Sequence, residues 1–285
     1  MPTLLIRYGE IGLKSESVRR RFENSLVQDI RRKHALAEVP CVISSSRGRI
    51  YVDSDDWRRS SEILSRTFGV VSFSPVTKVT SEKETLSKAV VEFSDPLMSK
   101  GATFAVRARR TGNHPYTSQS LGADLGAALL DAYRDRGIKV KLDDPDVEVF
   151  VEVRERNAFL YSSTFPGPGG MPKGTQGKVL SILDSPNALA ASWLLMKRGC
   201  TVVACSDDAD MIEGVRRWDA DLRTAGVEDD LFSLARRHEC MGIVLACGLD
   251  ELARGSPPKG DLPVFYPLVG MSDEEVHALM ERVRA

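Results

Sequence analysis

The sequence lacks any run of about 18 apolar residues, the length that a helix needs to cross a membrane. Its first residues, MPTLLIRYGE, contain only three consecutive apolar side chains before an arginine, which is too few for a signal peptide. No low-complexity tract is present, and 42% hydrophobic with 28% charged residues is the balance of an ordinary globular chain. These absences predict a cytoplasmic protein that has no membrane partner.

Cysteine is scarce, and its spacing excludes two classes of site. The five cysteines are an odd number, and none forms the C-x-x-C spacing of a metal cluster or a redox pair. We therefore expect reduced thiols and no metal site. Cys200 and Cys205 flank the apolar run TVVA and are expected to be buried. Cys247 is the one thiol that we treat as a catalytic candidate, and an inert thiol is the alternative.

Neither sign of charge is in excess over the whole chain, which has 39 Lys and Arg against 40 Asp and Glu. The two signs are nevertheless unevenly placed. Residues 166–285 hold 13 basic and 18 acidic side chains, which leaves 26 basic and 22 acidic side chains in residues 1–165. The positive balance of the N-terminal part hints at a polyanionic partner there.

Strand patterns alternate with helix patterns in the first 79 residues. A helix is predicted where Val18, Phe22, Leu26 and Ile30 recur every four residues, and the arginines on its opposite face are expected to be solvated. Strands are predicted at 3–8, 49–53 and 70–79, and a second helix at 57–68. So short an alternation predicts a small split βαβ sandwich.

The second third of the chain repeats this cycle, and one of its strands is basic on one face. Phe104, Val106 and Ala108 alternate there with Arg107 and Arg109. The pattern predicts a strand whose apolar side chains face a core and whose arginines face away from it.

The loop that follows, RTGNHPYTS at residues 110–118, is crowded with hydrogen-bond donors. Two interpretations stay open. The loop could supply phosphate and sugar contacts, with Tyr116 stacking on a base. It could equally be a capping loop, with Thr117 or Ser118 as the N-cap of the next helix and His114 as a hydrogen-bonding filler.

A Gly- and Pro-rich segment, PGPGGMPKGTQGK, then predicts a linker. After it, Val179 to Leu183 has strand character, Asp184-Ser185-Pro186 breaks the strand, and a helix follows that is expected to stop at Gly199. Linker, strand, tight turn and helix form the opening unit of a parallel α/β domain. The turn after the first strand is where such domains usually bind phosphate.

Three blocks of the sequence resemble one family, the tRNA 4-thiouridine synthetases. IRYGEIGLKSESVRRRFE, with GRIYV and RTFGVVSFSPV, resembles the family's N-terminal ferredoxin-like domain. FAVRARRTGNHPYTSQSLGADLGAALLD, with DPDVEVFVEVRERNAFLY, is similar to its THUMP domain, an RNA-binding module. PGPGGMPKGTQGKVL, DSPNALAASWLLMKRG and LPVFYPLVGMSDEEV are similar to parts of its PP-loop pyrophosphatase domain. The blocks keep the family's order over almost the whole chain.

The resemblance implies a multidomain fold that combines α/β and α+β architecture. A ferredoxin-like domain is expected at 1–75, a THUMP domain at 76–165, and a truncated, degenerate Rossmann-like PP-loop ATPase-type domain at 166–285. In the family, the first two domains grip the acceptor end of a tRNA. The third activates a uridine carbonyl as an adenylate with ATP and Mg²⁺, and sulfur comes from a cysteine persulfide or through a cysteine-held iron–sulfur cluster.

The family's phosphate loop, Ser-Gly-Gly-x-Asp-Ser-Pro, is altered in this sequence. With the loops aligned on the shared Asp-Ser-Pro, Leu180, Ser181 and Ile182 occupy the Ser-Gly-Gly positions. The missing glycines are the residues that let a backbone approach a phosphate closely. We therefore expect a weakened or lost site for ATP and Mg²⁺, and we expect Asp184 and Ser185 to cap the following helix instead. The nucleotide-site candidates that remain are Leu180, Ser181, Asp184, Ser185 and Gly248.

The leading hypothesis is a tRNA-binding protein related to these synthetases. The alternative is an active ATP-dependent tRNA sulfurtransferase, with Asp184 and Cys247 as catalytic candidates and a sulfur-donor protein or a partner subunit. A third hypothesis gives helix 188–196, with Trp193, a homodimer contact, and a core role is its competitor. The side chains that the resemblance assigns to RNA contact are Lys14, Arg107, Arg109, Arg110, His114, Tyr116, Thr117 and Lys173.

Overall fold

The computed structural model describes residues 2–9, 15–46, 48–255 and 258–284. Lys14 therefore lies outside the described residues. The first elements are β1 (Thr3–Tyr8), α1 (Glu16–Leu36), β2 (Val42–Ser46), β3 (Arg49–Asp53), α2 (Trp57–Ser65), β4 (Val70–Thr80) and α3 (Lys83–Ser94). Next come β5 (Thr103–Thr111), α4 (Ser118–Ala132), a single 3₁₀ turn (Arg134–Arg136), β6 (Lys139–Val140), β7 (Val147–Arg154), β8 (Asn157–Tyr161) and β9 (Phe165–Pro166).

The remaining elements alternate strand and helix. They are β10 (Lys178–Ile182), α5 (Asn187–Lys197), β11 (Thr201–Cys205), α6 (Ala209–Arg216), β12 (Arg223–Ala225), α7 (Leu231–Arg237), β13 (Ile243–Val244), α8 (Leu249–Arg254), β14 (Val264–Phe265) and α9 (Asp273–Arg284). Within the described ranges, no helix is both long enough and apolar enough to span a bilayer.

The chain forms two compact units. The first contains the described parts of 1–5, 51–57 and 73–165, and the second those of 6–50, 58–72 and 166–285. The two units do not correspond one to one with the three expected domains. The domain boundaries expected at residues 75 and 165 therefore stay a prediction.

In the first unit, five strands lie in the order β4-β8-β7-β5-β6. β5 is parallel to β6 and to β7, whereas β7 is antiparallel to β8. Val149, Val151 and Val153 alternate along β7 and point into a core shared with α3 and α4. Each valine that is buried in this way stabilises the unit by roughly 1.5–3 kcal/mol.

In the second unit, residues 178–265 build a parallel sheet of order β12-β11-β10-β13-β14. Both faces of this sheet are covered. Val179, Val202 and Ala204 pack in one core with α5 and α9, and Leu180 and Val203 pack in a second core with α7. The α/β domain expected after the linker is thereby confirmed.

Helix α5 is a core helix. Trp193 is 1% exposed and packs against Phe68 and Trp218, with ring centroids 5.5 and 5.6 Å away. Ala188 and Ala191 are fully buried. The homodimer contact suggested for this helix is therefore wrong for Trp193, and the competing core interpretation is confirmed. The stop predicted at Gly199 is also confirmed. Helix α5 ends at Lys197, Arg198 is its C-cap, and Gly199 follows with a φ of +91°.

Candidate functional site

The C-terminal edge of the parallel sheet is the first place where the chain could hold a ligand. From β10 the chain proceeds to β11 and β12 on one side, whereas β13 and β14 lie on the other. Loops after β10 and β13 diverge at such a switch point and leave a crevice. A cavity of about 670 Å³ lies there, and its walls come from the turn before α5, the start of α8 and helix α9.

Leu180 and Ser181 do not belong to the turn at this edge. Both lie inside β10 and are 0% exposed. Ser181 Oγ lies 2.7 Å from Ser192 Oγ, and the Ser192 hydroxyl donates to the Ala188 carbonyl at 2.7 Å. Because the Ser192 proton is used in this way, Ser181 is the donor of the pair. The side chains of Leu180 and Ser181 are therefore packed within the domain and cannot line a phosphate-binding loop.

The turn that joins β10 to α5 is Leu183–Pro186. Among these four described residues none has a positive φ, so the turn lacks the left-handed conformation that glycines supply in anion nests. Pro186 has no N–H, and the N–H of Leu183 already donates to the Cys205 carbonyl at 3.0 Å. Asp184 is exposed and Ser185 is half-buried. This turn offers few free donors and adds a carboxylate.

The cap expected from Asp184 or Ser185 is wrong. Helix α5 begins after Pro186, which is its N-cap residue and makes no side-chain cap hydrogen bond. The N–H of Ala188 instead bonds the backbone carbonyl of Ser185 at 2.9 Å. A proline just before the helix fixes φ near its helical value and so can start the helix without a side-chain acceptor.

Cys247 and Gly248 follow β13 at the same edge. Burial raises the pKa of the Cys247 thiol, and the nearby carboxylates of Glu251 and Asp184 raise it further. These charges favour a protonated thiol over a thiolate nucleophile at Cys247. The Gly248 N–H donates to Glu251 Oε2 at 2.9 Å, so this donor is already satisfied within α8. A Cβ at Gly248 would meet nothing within 4 Å.

The walls of the cavity are more acidic than basic. Asp250, Glu251 and Asp273 line it, against His277 and Arg284. Within the described parts of the chain, no group of three or more His, Cys, Asp or Glu side chains is arranged to hold a metal ion. Tyr266 does not line this cavity, but its pKa is raised by burial and by Cys247, and its Oη is buried without a hydrogen-bond partner among the described residues.

A second cavity, of about 900 Å³, lies in the first unit between β5 and α4. Half-buried Val106 and Ala108 give it an apolar floor, and small residues of α4 form one wall. A Cβ added at Gly126 would meet nothing within 4 Å, so this wall is open. The Gly122 and Gly126 spacing, one helical turn apart, is the signal in the sequence that could have predicted this groove.

The three predicted arginines of β5 have different environments. Arg107 Nε is 2.7 Å from Glu148 Oε1, and its Nη2 donates to the Leu142 carbonyl at 2.5 Å. Arg109 is exposed, lines the groove and makes no ion pair with any described residue. Arg110 is exposed and donates to the Gly112 carbonyl at 3.0 Å. The predicted alternation is confirmed, because Val106 and Ala108 pack against the core of the unit.

The loop before α4 is a capping loop. Thr117 Oγ1 accepts the N–H of Ser120 at 3.0 Å, which makes Thr117 the N-cap. His114 Nε2 lies 3.1 Å from the Thr111 carbonyl, and its ring stacks on Tyr116 at 5.4 Å. Tyr116 is only 8% exposed, and its hydroxyl donates to the Ser81 carbonyl at 2.8 Å. The ring of Tyr116 is a core group, so it presents no free face to a base.

Lys173 is neutralised inside the second unit. Its Nζ lies 2.5 Å from Asp219 Oδ1 and 2.5 Å from Asp221 Oδ1. Burial opposes its charge, yet these two carboxylates raise the pKa of Lys173. The phosphate contact predicted for this lysine does not fit an ammonium group that two carboxylates already hold.

Comparison with known proteins defines the class. Residues 3–74 match the family model of the ThiI ferredoxin-like domain, and residues 81–163 match that of the THUMP domain. The crystal structure of PH1313 from Pyrococcus horikoshii superimposes with a TM-score of 0.81 and 28% identity over 100% of both chains. A 4-thiouridine synthetase–RNA complex with bound ATP superimposes with a TM-score of 0.80 over 99% of this chain and 85% of that one, at 20% identity, which shows the fold alone. The chain is thus a THUMP protein with a ferredoxin-like domain before the THUMP domain and a parallel α/β domain after it.

Sequence relatives give the family. A probable tRNA sulfurtransferase of Methanothermobacter thermautotrophicus is 32% identical over 98% of this chain and 84% of that relative. One of Methanobrevibacter smithii is 40% identical over 72% of this chain, but the match spans only 53% of that relative. The matches to this relative and to those of Methanosarcina acetivorans and Methanosarcina mazei span about half of those proteins' length. It belongs to the tRNA sulfurtransferase family, and the resemblance noted in the sequence is confirmed.

Proposed function

We propose that this protein binds tRNA through the groove of its first unit and that its PP-loop nucleotide site is weakened or lost. The observation that carries the first part is the pairing of an apolar floor with basic side chains at one groove. Arg109 is exposed and unpaired within the described chain, and Arg110 is exposed next to it in β5. Such a combination takes a phosphate on the guanidinium groups and an unpaired base or a ribose on the floor.

Arg107 has a different part in this proposal. The carboxylate of Glu148 and the Leu142 carbonyl hold its guanidinium in one orientation at the groove. A guanidinium fixed in this way loses little side-chain entropy when it meets a phosphate. His114 and Thr117 then contribute indirectly, because they shape the loop from which α4 starts.

The second part of the proposal rests on the poor fit between the switch-point cavity and the phosphates of ATP. The turn supplies no glycine and no residue of positive φ, and Leu180 and Ser181, which align with the start of the family's phosphate loop, are buried inside β10. The residues of this turn therefore do not fit the phosphates of ATP.

Salt-dependent tRNA binding tests the first part. Arg109→Ala with Arg110→Ala should weaken tRNA binding and lower the slope of log affinity against log salt by about 0.7 to 0.9 for each phosphate that no longer meets an arginine. Arg134→Ala is the matched control, because Arg134 is an exposed arginine of the same unit that pairs with the neighbouring Asp131 at 2.8 Å. An unchanged affinity and slope in filter-binding titrations would refute the groove as the RNA site.

A second candidate function is an active, ATP-dependent tRNA sulfurtransferase whose altered turn is completed by a partner subunit or a sulfur-donor protein. The observation that favours it is the cavity of about 670 Å³ beside that turn. Exchange of pyrophosphate into ATP with cognate tRNA separates the two candidates. Robust exchange that disappears in Asp184→Ala would favour the enzyme, as would loss of tRNA thiouridine in a strain that lacks the protein.

A further inference from the structure

A cluster of charged side chains lies buried in the second unit and shares no residue with either cavity. Its centre is Lys173, whose Nζ is 2.5 Å from one oxygen each of Asp219 and Asp221. Asp219 is 2% exposed, and the side chains of Lys173 and Asp221 are 20% and 19% exposed. The tRNA-binding proposal does not account for this cluster. None of the carboxylates in the cluster lines the groove of the first unit.

Helix α1 supplies the other half of the cluster. Lys33 is 8% exposed, and its Nζ donates to the carbonyls of Arg66 at 2.7 Å and Trp218 at 2.9 Å, with Asp29 Oδ2 at 3.7 Å. Arg32 Nη2 lies 2.5 Å from Asp221 Oδ2. The contacts join α1, the segment 58–72, the Gly-rich linker and the turn after α6 within this unit.

The two aspartates differ in how their charge is compensated. Both oxygens of Asp221 face a cation, Lys173 on one side and Arg32 on the other. Asp219 shares Lys173, and its Oδ2 is buried with no hydrogen-bond partner in the described part of the chain. Two carboxylates that crowd one ammonium group titrate as a pair, and the less compensated one takes up the proton.

We propose that this cluster is a proton-binding latch that anchors helix α1 in the second unit, with Asp219 as the carboxyl group that takes up the proton and Asp221 as the permanent counterion of Lys173. Asp219 faces Lys173 from the linker and Asp221 from its own turn, and it interacts electrostatically with Lys33 of α1. Asp29 of α1 pairs with Lys33, and Arg32 of α1 pairs with Asp221.

The direction of the pKa shifts agrees with this assignment. Burial raises the pKa of Asp219 to about 6 against the opposing charge of Lys173. Burial acts in the same sense on Asp221, but its hydrogen bonds to Asp219 and Lys173 and the nearby cations lower its pKa to about 2. A carboxyl group whose folded pKa is raised binds more protons in the folded state than in the unfolded state. The contribution of Asp219 to stability therefore grows as the pH falls through 6.

The test compares the full chain with its Asp219→Asn variant in denaturant unfolding between pH 8 and pH 4. The folding equilibrium constant of the wild type, divided by that of the variant, should rise by about 60-fold over this range, given a shift from 3.8 to about 6. Asp229→Asn, at an exposed position of the same unit, is the control and should show no such rise. Wild-type and Asp219→Asn curves that run parallel would overturn the proposal.

Two further measurements apply if Asp219→Asn does not fold. In wild-type protein labelled with ¹³Cγ-aspartate, one carboxyl resonance should titrate near pH 6, and its absence overturns the proposal. Hydrogen exchange of α1 amides in a His34→Gln background, corrected for the intrinsic rate, should slow as the pH falls from 8 to 5, because this change removes the opposing titration of buried His34 in the same helix. Protection of α1 that does not change with pH would show that Asp219 does not act on this helix.

Discussion

The replacement of Tyr116 by leucine separates a core role of this ring from a role in base stacking. The change removes the hydroxyl that donates to the Ser81 carbonyl at 2.8 Å, a hydrogen bond that contributes about 0.5–1.5 kcal/mol net. It also removes the stacked contact with His114, worth about 0.5–1.5 kcal/mol, and leaves part of the ring's volume unfilled in the core of the first unit. The expected loss in the free energy of unfolding is about 2–4 kcal/mol.

Affinity for tRNA is then measured at a temperature at which the variant is fully folded. If Tyr116 is a core residue, the affinity of Tyr116→Leu should equal that of the wild type. Tyr116→Phe should lose only the hydroxyl contribution of about 1 kcal/mol. Tyr133→Phe is the matched control, because the Tyr133 hydroxyl donates to the Val91 carbonyl at 2.6 Å from a position that is 6% exposed in the same core.

The opposite pattern would refute this reasoning. A ring that stacks on a base contributes about 1–3 kcal/mol of binding free energy. Tyr116→Leu would then lose roughly 5- to 150-fold in affinity with little change in stability. That result would require the loop 110–118 to rearrange when RNA binds.

Two further predictions concern titratable groups of the second unit. His34 is 1% exposed, its Nδ1–H donates to the Ile30 carbonyl at 2.8 Å, and burial lowers its pKa below 6.5. Stability should therefore fall as the pH drops through 6.5, and His34→Gln should remove this dependence in urea unfolding, whereas replacement of the exposed His277 should not. The raised pKa of Cys247 predicts slow alkylation by iodoacetamide at pH 8, with rates below those of a cysteine in an unfolded peptide. Faster alkylation than that reference would restore Cys247 as a reactive thiol.

Local pattern was sufficient for most of the elements of the first 163 residues. A strand was predicted at 3–8, and alternation predicted the basic strand around Arg107; β1 and β5 lie there. β2 gave no signal, because Val42–Ser46 is mostly exposed and carries three consecutive serines. Alternation marks a strand only where one face is buried against a core.

The nucleotide turn shows where motif spacing misleads. Alignment on Asp184 placed Leu180 and Ser181 in the phosphate loop, but hydrogen bonds to β11 and β13 hold both residues in the strand. The sequence alone does establish that the segment has no glycine. Which residues form the turn depends on the register of β10 with its neighbours, and that register is a tertiary property.

The amino-acid sequence by itself determined the family, the order of the domains and the loss of the glycines, because each of these depends on residue identity and spacing along the chain. Only the tertiary structure decided which charges are free. Lys173 and Arg109 are both cations in the sequence, yet one is held by two buried carboxylates and the other faces an open groove. Asp219 and Asp221, which are the partners of Lys173, lie more than 40 residues away from it along the chain. Long-range ion pairing of this kind is set by packing and burial, which no local pattern encodes.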